Sequence, residues 1–362
     1  MNNIIELYKS VIIQIATPYS TGTGFLLTDQ NLIVTNEHVV RSNREVVING
    51  NNIEKQMVKV LFTDPKYDLA FLAAPERMGE IPKVKLGVKG SVSQGDQIIA
   101  VGHPFGMKYS ATQGIVSSTT QEKNNIFYIH HDAALNPGNS GGPLLDQKGA
   151  IIGVNTFIIR SGNSVGFSLP VEYLVETIDA FKEGQNQIGT RCFSCSNLVF
   201  ENEVKNDYCP NCGSKIEIPS KITIYEPLGV VKTIENILTD TGHRVQLARR
   251  GPFNWEVEEG SAKISVSYYE KTGLIIGDAY LCTLPPKDIK PLYEFLLRQN
   301  YENEALTFSV KGQDIVLSLF IYDRYLNKET GVKLIRHLFE RADYYDNILV
   351  EKYGAIWKKT EI

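Results

Sequence analysis

Between Val11 and Phe167 the chain is written in short β-branched runs, such as Val11-Ile-Ile-Gln-Ile15 and Ile151-Ile-Gly-Val154, separated by clusters of Gly, Pro, Asn and Asp. That punctuation is the signature of an all-β sandwich or barrel. Helical spacing brackets it. Ile4 to Ser10 suits a short entry helix, and Val171, Leu174, Val175, Ile178 and Phe181 form a stripe that begins at Pro170 and stops at Gly184. The polar run Gly184–Gly189 then reads as a linker.

Within the β-rich part, Asn136-Pro-Gly-Asn-Ser-Gly-Gly-Pro-Leu-Leu145 stands out. Gly138, Gly141 and Gly142 let the backbone turn sharply around one exposed serine, Ser140. A serine hydroxyl is a weak nucleophile near neutral pH, so it needs a base to take its proton and a third group to orient that base. His38, after the apolar run Leu32–Val34, and Asp68, before Leu69-Ala-Phe-Leu72, supply both residue types. The chain order His, Asp, Ser is that of chymotrypsin-type proteases and not of subtilisins or α/β-hydrolases. His130 and His131 are expected on a strand near the site, His103 in a loop, and Asp64 in a turn before Pro65.

Gly22-Thr-Gly-Phe-Leu26, Val34-Thr-Asn-Glu-His-Val-Val40, Asp68-Leu-Ala70, Asp132 through Leu144 and Gly166-Phe-Ser-Leu-Pro170 together resemble the trypsin-fold serine proteases of the HtrA (Deg) group. The resemblance covers residues 1–183 and implies an all-β double barrel. It implies that Ser140 attacks the scissile carbonyl, that His38 is general base and then general acid, and that Asp68 holds the imidazole tautomer. The backbone amides of Gly138 and Ser140 would form the oxyanion hole, each donor being worth roughly 3–4 kcal/mol. In this fold the residue six before the nucleophile, here Ala134, lies at the base of the pocket for the side chain preceding the cut. With no carboxylate there, a small or medium aliphatic residue is expected before the scissile bond. Asn155-Thr-Phe157 resembles the strand that pairs with extended substrate backbone.

The N-terminal Met1–Ser10 has charges among its apolar residues, unlike a secretory signal, and no run of eighteen or more apolar residues occurs. A cytosolic location and no membrane association are therefore expected. In a reducing compartment, Cys192-x2-Cys195 and Cys209-x2-Cys212, thirteen residues apart, read as a metal site and not as two disulfides. The segment 189–218 resembles a zinc ribbon. Four thiolates would fill a tetrahedral zinc sphere and leave no place for water, so the ion would be structural. A redox dithiol or an iron centre is the alternative. Cys282 reads as a buried strand residue.

Residues 221–353 follow the order α-β-β-β-α-β-β-α: a helix over Val231–Thr241, strands at Asn254–Glu258, Ala262–Tyr269 and Gly273–Leu284, a helix over Asp288–Gln299, a hairpin, and a last helix. Phe295-Leu-Leu-Arg-Gln-Asn300 and Ala342-Asp-Tyr-Tyr345 carry a resemblance to YbjN-like and type III secretion chaperone-like α+β domains. The resemblance implies recognition of a protein partner, with a purely stabilising cap as the alternative.

Charge narrows the partners. Residues 1–185 carry 15 basic and 17 acidic groups, and the remainder 22 and 24, so neither part has the basic excess of a nucleic-acid binder. The expected function is a serine endopeptidase acting on a protein partner or unfolded segments. The competing expectation is a regulatory protein that keeps the protease fold without turnover. Homo-oligomerisation is left open.

Overall fold

The computed structural model describes residues 2–103, 109–159, 165–259 and 262–357. The chain divides into two compact units, Met1–Tyr225 and Glu226–Ile362.

The first unit opens with helix α1 (Asn2–Val11), which runs directly into strand β1 (Ile12–Ala16). Five more strands follow: β2 (Thr21–Leu27), β3 (Leu32–Thr35), β4 (Glu45–Gly50), β5 (Ile53–Asp64) and β6 (Leu69–Ala73). They pair in the order β5-β4-β1-β2-β3-β6, and β5 pairs with β6 to close the barrel. Strands β7 (Gln97–Gly102), β8 (Ser110–Lys123), β9 (Ile126–His131), β10 (Pro143–Leu145), β11 (Ile151–Ile159) and β12 (Val165–Pro170) close a second barrel in the order β10-β11-β12-β9-β8-β7. The all-β double barrel expected from the sequence is the architecture found.

Both barrels fill with the β-branched and aliphatic side chains that mark the strands. Ile13, Ile15, Leu26, Ile33, Val46, Ile48, Val60 and Leu72 pack inside the first. Ile98, Ala100, Val116, Ile129, Leu144 and Ile152 pack inside the second. A third cluster joins Phe25, Phe62 and Phe71 to Ile99, Leu145 and Phe181. Phe181 comes from helix α3 (Val171–Glu183), which buries Val171, Leu174, Ile178 and Phe181 of the stripe read from the sequence, with Thr177 in addition and Val175 only half-buried. The Phe62, Phe71 and Phe181 rings lie 5.4–5.7 Å apart in mutual contact. Burying side chains of this size contributes about 1.5–3 kcal/mol each.

The polar run after α3 does not lead into a detached module. Strand β13 (Gly189–Arg191) pairs with β14 (Leu198–Phe200) and also adds in parallel to β5, with Gly189 opposite Phe62 and Thr190 opposite Thr63. The cysteine-bearing segment thus extends the sheet of the first barrel.

In the second unit, helix α4 (Gly229–Asp240) and a short α5 (Val245–Ala248) precede strands β15 (Asn254–Glu259), β16 (Ala262–Tyr269) and β17 (Leu274–Thr283). Helix α6 (Ile289–Glu302), the hairpin β18 (Leu306–Lys311) and β19 (Asp314–Tyr322), helix α7 (Lys328–Tyr353) and a two-residue β20 (Ile356–Trp357) complete it. The sheet order is β15-β16-β17-β19-β18, with β20 on β17. This is the expected α+β order with α5 and β20 added. Helix α7 is capped at one end by Asn327 Oδ1, which accepts from the Thr330 amide, and at the other by Gly354 at φ +68°. Its Ile335, Leu338, Phe339 and Ala342 join Ile275, Ala279, Leu317 and Leu319 of the sheet in one core. Cys282 is buried in β17, as expected.

Candidate active site and cysteine cluster

Strand β3 ends at Thr35, and helix α2 (Glu37–Val40) begins the next turn with His38 on it. Asp68 precedes β6 in the left-handed region, φ +52°. That conformation is uncommon away from glycine, and Asp is one of the residues that tolerates it. Three hydrogen bonds hold Asp68 there. Its carbonyl accepts from Asn36 Nδ2 at 2.7 Å, Oδ1 accepts from the His38 amide at 3.0 Å, and Oδ2 lies 2.7 Å from His38 Nδ1. With Nδ1 donating to a carboxylate, Nε2 is left as the acceptor.

Burial pulls the His38 imidazolium down, but the hydrogen bond and charge of Asp68, helped by Glu37 and opposed by Arg41, outweigh it and hold the group above its ordinary 6.5. His103 and His131 behave differently. Burial pushes each down to about 4, so neither carries charge near neutral pH. His131 Nε2 lies 3.0 Å from Ser168 Oγ, which donates to Asn155 Oδ1 at 3.0 Å; this buried chain braces the second barrel behind the site.

The glycine-rich loop sits opposite. Asn136 O accepts from the Asn139 amide at 3.0 Å, with Pro137 between and Gly138 at φ +103°, the pattern of a type II turn. The Thr23 hydroxyl donates to Gly138 O at 2.6 Å, and the Thr23 amide to Ser140 O at 2.8 Å. Every loop carbonyl named here is thereby tied down. Among the described residues, the Gly138 and Ser140 amides have no acceptor. Gly142 is packed so closely that a Cβ would collide with Val101 O. Thr23, from the Gly-Thr-Gly stretch, is a positioning residue that its sequence context gave no reason to single out.

His38, Asp68 and Ser140 all line one cavity of about 420 Å³, with Lys123, Leu135, Pro137, Asn155 and Thr156. Ser140 Oγ donates to Thr156 O at 3.3 Å; among the described residues no hydrogen bond joins it to His38. The strand residues Asn155 and Thr156 line the cavity. Phe157 pairs with Phe167 through the backbone, and its side chain lies outside the described residues. Ala134 is exposed and absent from the cavity lining, whereas the buried Leu135 lines it.

The four cysteines converge as their spacing predicts. Cys192 and Cys212 Sγ are 3.6 Å apart, Cys195 and Cys209 Sγ 3.7 Å, and all four sulfurs lie within 4.8 Å of one another. These separations exclude disulfides, whose sulfurs are about 2.05 Å apart. They fit a tetrahedral ion with metal–sulfur bonds of about 2.3 Å, which sets sulfurs about 3.8 Å apart. The two knuckles repeat one geometry. Cys192 O accepts from Ser196 N at 2.8 Å, and Cys209 O accepts from Gly213 N at 2.9 Å, with Ser196 and Gly213 both at positive φ.

The family model described as a trypsin-like peptidase domain matches residues 22–154. A protein of Pseudomonas putida named "Probable periplasmic serine endoprotease DegP-like" is 35% identical over 170 residues, covering 45% of this chain and 35% of that protein. A protein of the same name from Hahella chejuensis is 34% identical over 170 residues, covering 45% and 36%. The match thus spans about a third of the length of these curated relatives. A solved HtrA-type protease with a tripeptide aligns at TM-score 0.48 and 27% identity, over 52% of this chain and 65% of that one. The relatives' names overturn the cytosolic location expected from the N-terminal residues. Those residues belong to the folded unit: α1 buries Tyr8 and Val11 in the cluster that joins the two barrels.

Proposed function

We propose that the double barrel is a serine endopeptidase in which Ser140 is the nucleophile, His38 the base and Asp68 the orienting acid. The observation that carries the reading is the 2.7 Å contact of His38 Nδ1 with Asp68 Oδ2 on the same cavity as Ser140. Ser140 Oγ attacks the scissile carbonyl as its proton passes to His38 Nε2, and the amides of Gly138 and Ser140 receive the developing oxyanion. His38 then protonates the departing amine, and water repeats the sequence on the acyl-enzyme. Substrate backbone pairs along Asn155 and Thr156 and takes the Thr156 carbonyl, which releases the Ser140 hydroxyl toward His38. Leu135 and, among the described residues, the lack of any lining carboxylate besides Asp68 favour small or medium aliphatic side chains before the cut.

A fluorophosphonate probe tests this reading. Labelling of the unmutated chain that is lost in Ser140→Ala and His38→Ala supports it; no adduct on Ser140, with or without protein substrates present, refutes it. The hydrogen bond of Ser140 Oγ to Thr156 O favours a second reading, a protease fold that is latent, which predicts labelling only after substrate peptide is added, or silent, which predicts none.

The cysteine cluster is proposed to hold one structural zinc ion, as four thiolates leave no open coordination position. The second unit is proposed to recognise protein segments. Supporting this, α6 presents Tyr293, Leu297 and Tyr301 at four-residue spacing, the last two 70% and 94% exposed. Homo-oligomerisation would use the same stripe.

A further inference from the structure

The residue immediately before the first cysteine knuckle is tied to the residue that begins the turn leading to Asp68. Arg191 Nε donates to Asp64 Oδ2 at 2.7 Å, with Arg191 7% exposed and Asp64 wholly buried. On its other side Arg191 Nη1 donates to Ser196 O at 3.1 Å, within the knuckle closed by Ser196 N and Cys192 O. Asp64 in turn shapes its own loop. Its Oδ1 accepts the amides of Lys66 and Tyr67, each at 3.1 Å, and Asp68 comes next.

Two further contacts brace the arrangement. The Arg191 guanidinium lies over the Tyr67 ring, 5.0 Å from its centroid, and Tyr67 packs on Tyr173 of α3 at 4.9 Å. Thr190 Oγ1 donates to Thr63 O at 3.1 Å, where β13 and β5 run side by side. Without Arg191, the Asp64 carboxylate would be buried beside no cation, a cost of the kind that rearranges a site. The segment it would rearrange first is Asp64–Asp68, whose end holds a strained φ. A guanidinium suits this place because its rigid, planar fork holds donors on separate nitrogens toward a carboxylate and a carbonyl, whereas an ammonium offers all its donors from one flexible point.

We infer that Arg191 is a positioning residue for the active site: through Asp64 it transmits the order of the cysteine knuckle to the turn that presents Asp68 to His38. The inference rests on the proposed role of Asp68, and it makes the metal cluster a support for catalytic geometry as well as a local staple.

The test follows the His38 imidazole by NMR titration in a Ser140→Ala background, so that it needs no turnover. Arg191→Lys is compared with the parent and with Asp68→Asn, each carrying its full complement of zinc. The expected result is that Arg191→Lys moves the His38 titration downward, in the direction of Asp68→Asn. In the chain that retains Ser140, Arg191→Lys is expected to lower kcat roughly 10- to 100-fold with KM little changed. Stripping zinc from the unmutated chain with a chelator, and restoring it, should move the same titration down and back, an arm that requires no substitution. An unchanged His38 titration in Arg191→Lys overturns the positioning role whatever happens to turnover. An unchanged titration on stripping overturns the link to the metal. Failure of the protease reading shows separately, as absent fluorophosphonate labelling of the parent chain.

Discussion

Asp68 holds His38 twice, through Nδ1 at 2.7 Å and through the backbone amide at 3.0 Å. Ring and main chain are fixed by one carboxylate, so the imidazole cannot tilt without breaking the tie to its own helix. Asp68→Asn should preserve the fold and reduce peptide cleavage by about 10³- to 10⁴-fold, because the amide supports the wrong tautomer. Steady-state kinetics on a peptide cleaved by the parent chain measure it, and a loss under tenfold would remove Asp68 from the mechanism.

The raised His38 group sets the pH dependence. A general base must be neutral, so the acid limb of kcat/KM should have its midpoint above 6.5, and activity should grow as pH rises through it. Stability runs the other way. A folded value above the unfolded one means that the protonated His38–Asp68 pair stabilises the fold below about pH 6.5, and that this contribution is lost as pH rises through the folded value. A pH series of kcat/KM with its acid midpoint below 6.5 would contradict the electrostatic account.

Gly138 should tolerate substitution in folding but not in chemistry. Its φ of +103° belongs to a turn that an L side chain enters only under strain. Gly138→Ala is expected to cost about 1–3 kcal/mol of stability. It should also slow fluorophosphonate labelling about 10²-fold by displacing an oxyanion donor. Gly142→Ala, whose Cβ would meet Val101 O, should instead lower the yield of folded protein.

Leu135 and Ala134 make opposite predictions for specificity. Leu135→Phe should shift the cleavage profile of a peptide library toward smaller residues before the cut, and Ala134→Phe should leave it unchanged. The reverse pattern would return Ala134 to the pocket.

Zinc content offers an independent check on the cysteine cluster. The purified chain should hold about one zinc per molecule, and Cys192→Ser should release it, since losing one thiolate from a closed tetrahedral site removes much of its affinity. Elemental analysis decides the question; iron in place of zinc would favour the alternative reading of the four thiolates.

The parts legible in sequence were those written in local pattern. Strand punctuation around the β-branched runs gave the all-β class, the family resemblance gave the double barrel, the α3 stripe gave most of its buried face, and the paired cysteines announced their cluster through spacing alone. His38, Asp68 and Ser140 could be picked out as candidates because chain order and flanking glycines constrain such a trio, and the fold sets all three on one cavity. Arg191 was not. Its partner Asp64 lies 127 positions away, and an arginine before a cysteine looks like any solvated cation until β13 is found alongside β5. The exposure of Ala134 was hidden for a related reason: counting back from Ser140 does not reveal which way each side chain turns.

Helix α1 also deserves a mechanical reading. The Tyr8 hydroxyl donates to Gly149 O and the Ile5 carbonyl accepts from Tyr109 Oη, both beyond the first barrel, while Val11 runs straight into β1. The opening residues therefore act as a clasp across the seam between the two barrels. An affinity handle fused close to Ile4, or trimming as far as Tyr8, would loosen the hydrogen bonds by which α1 reaches Tyr109 and Gly149.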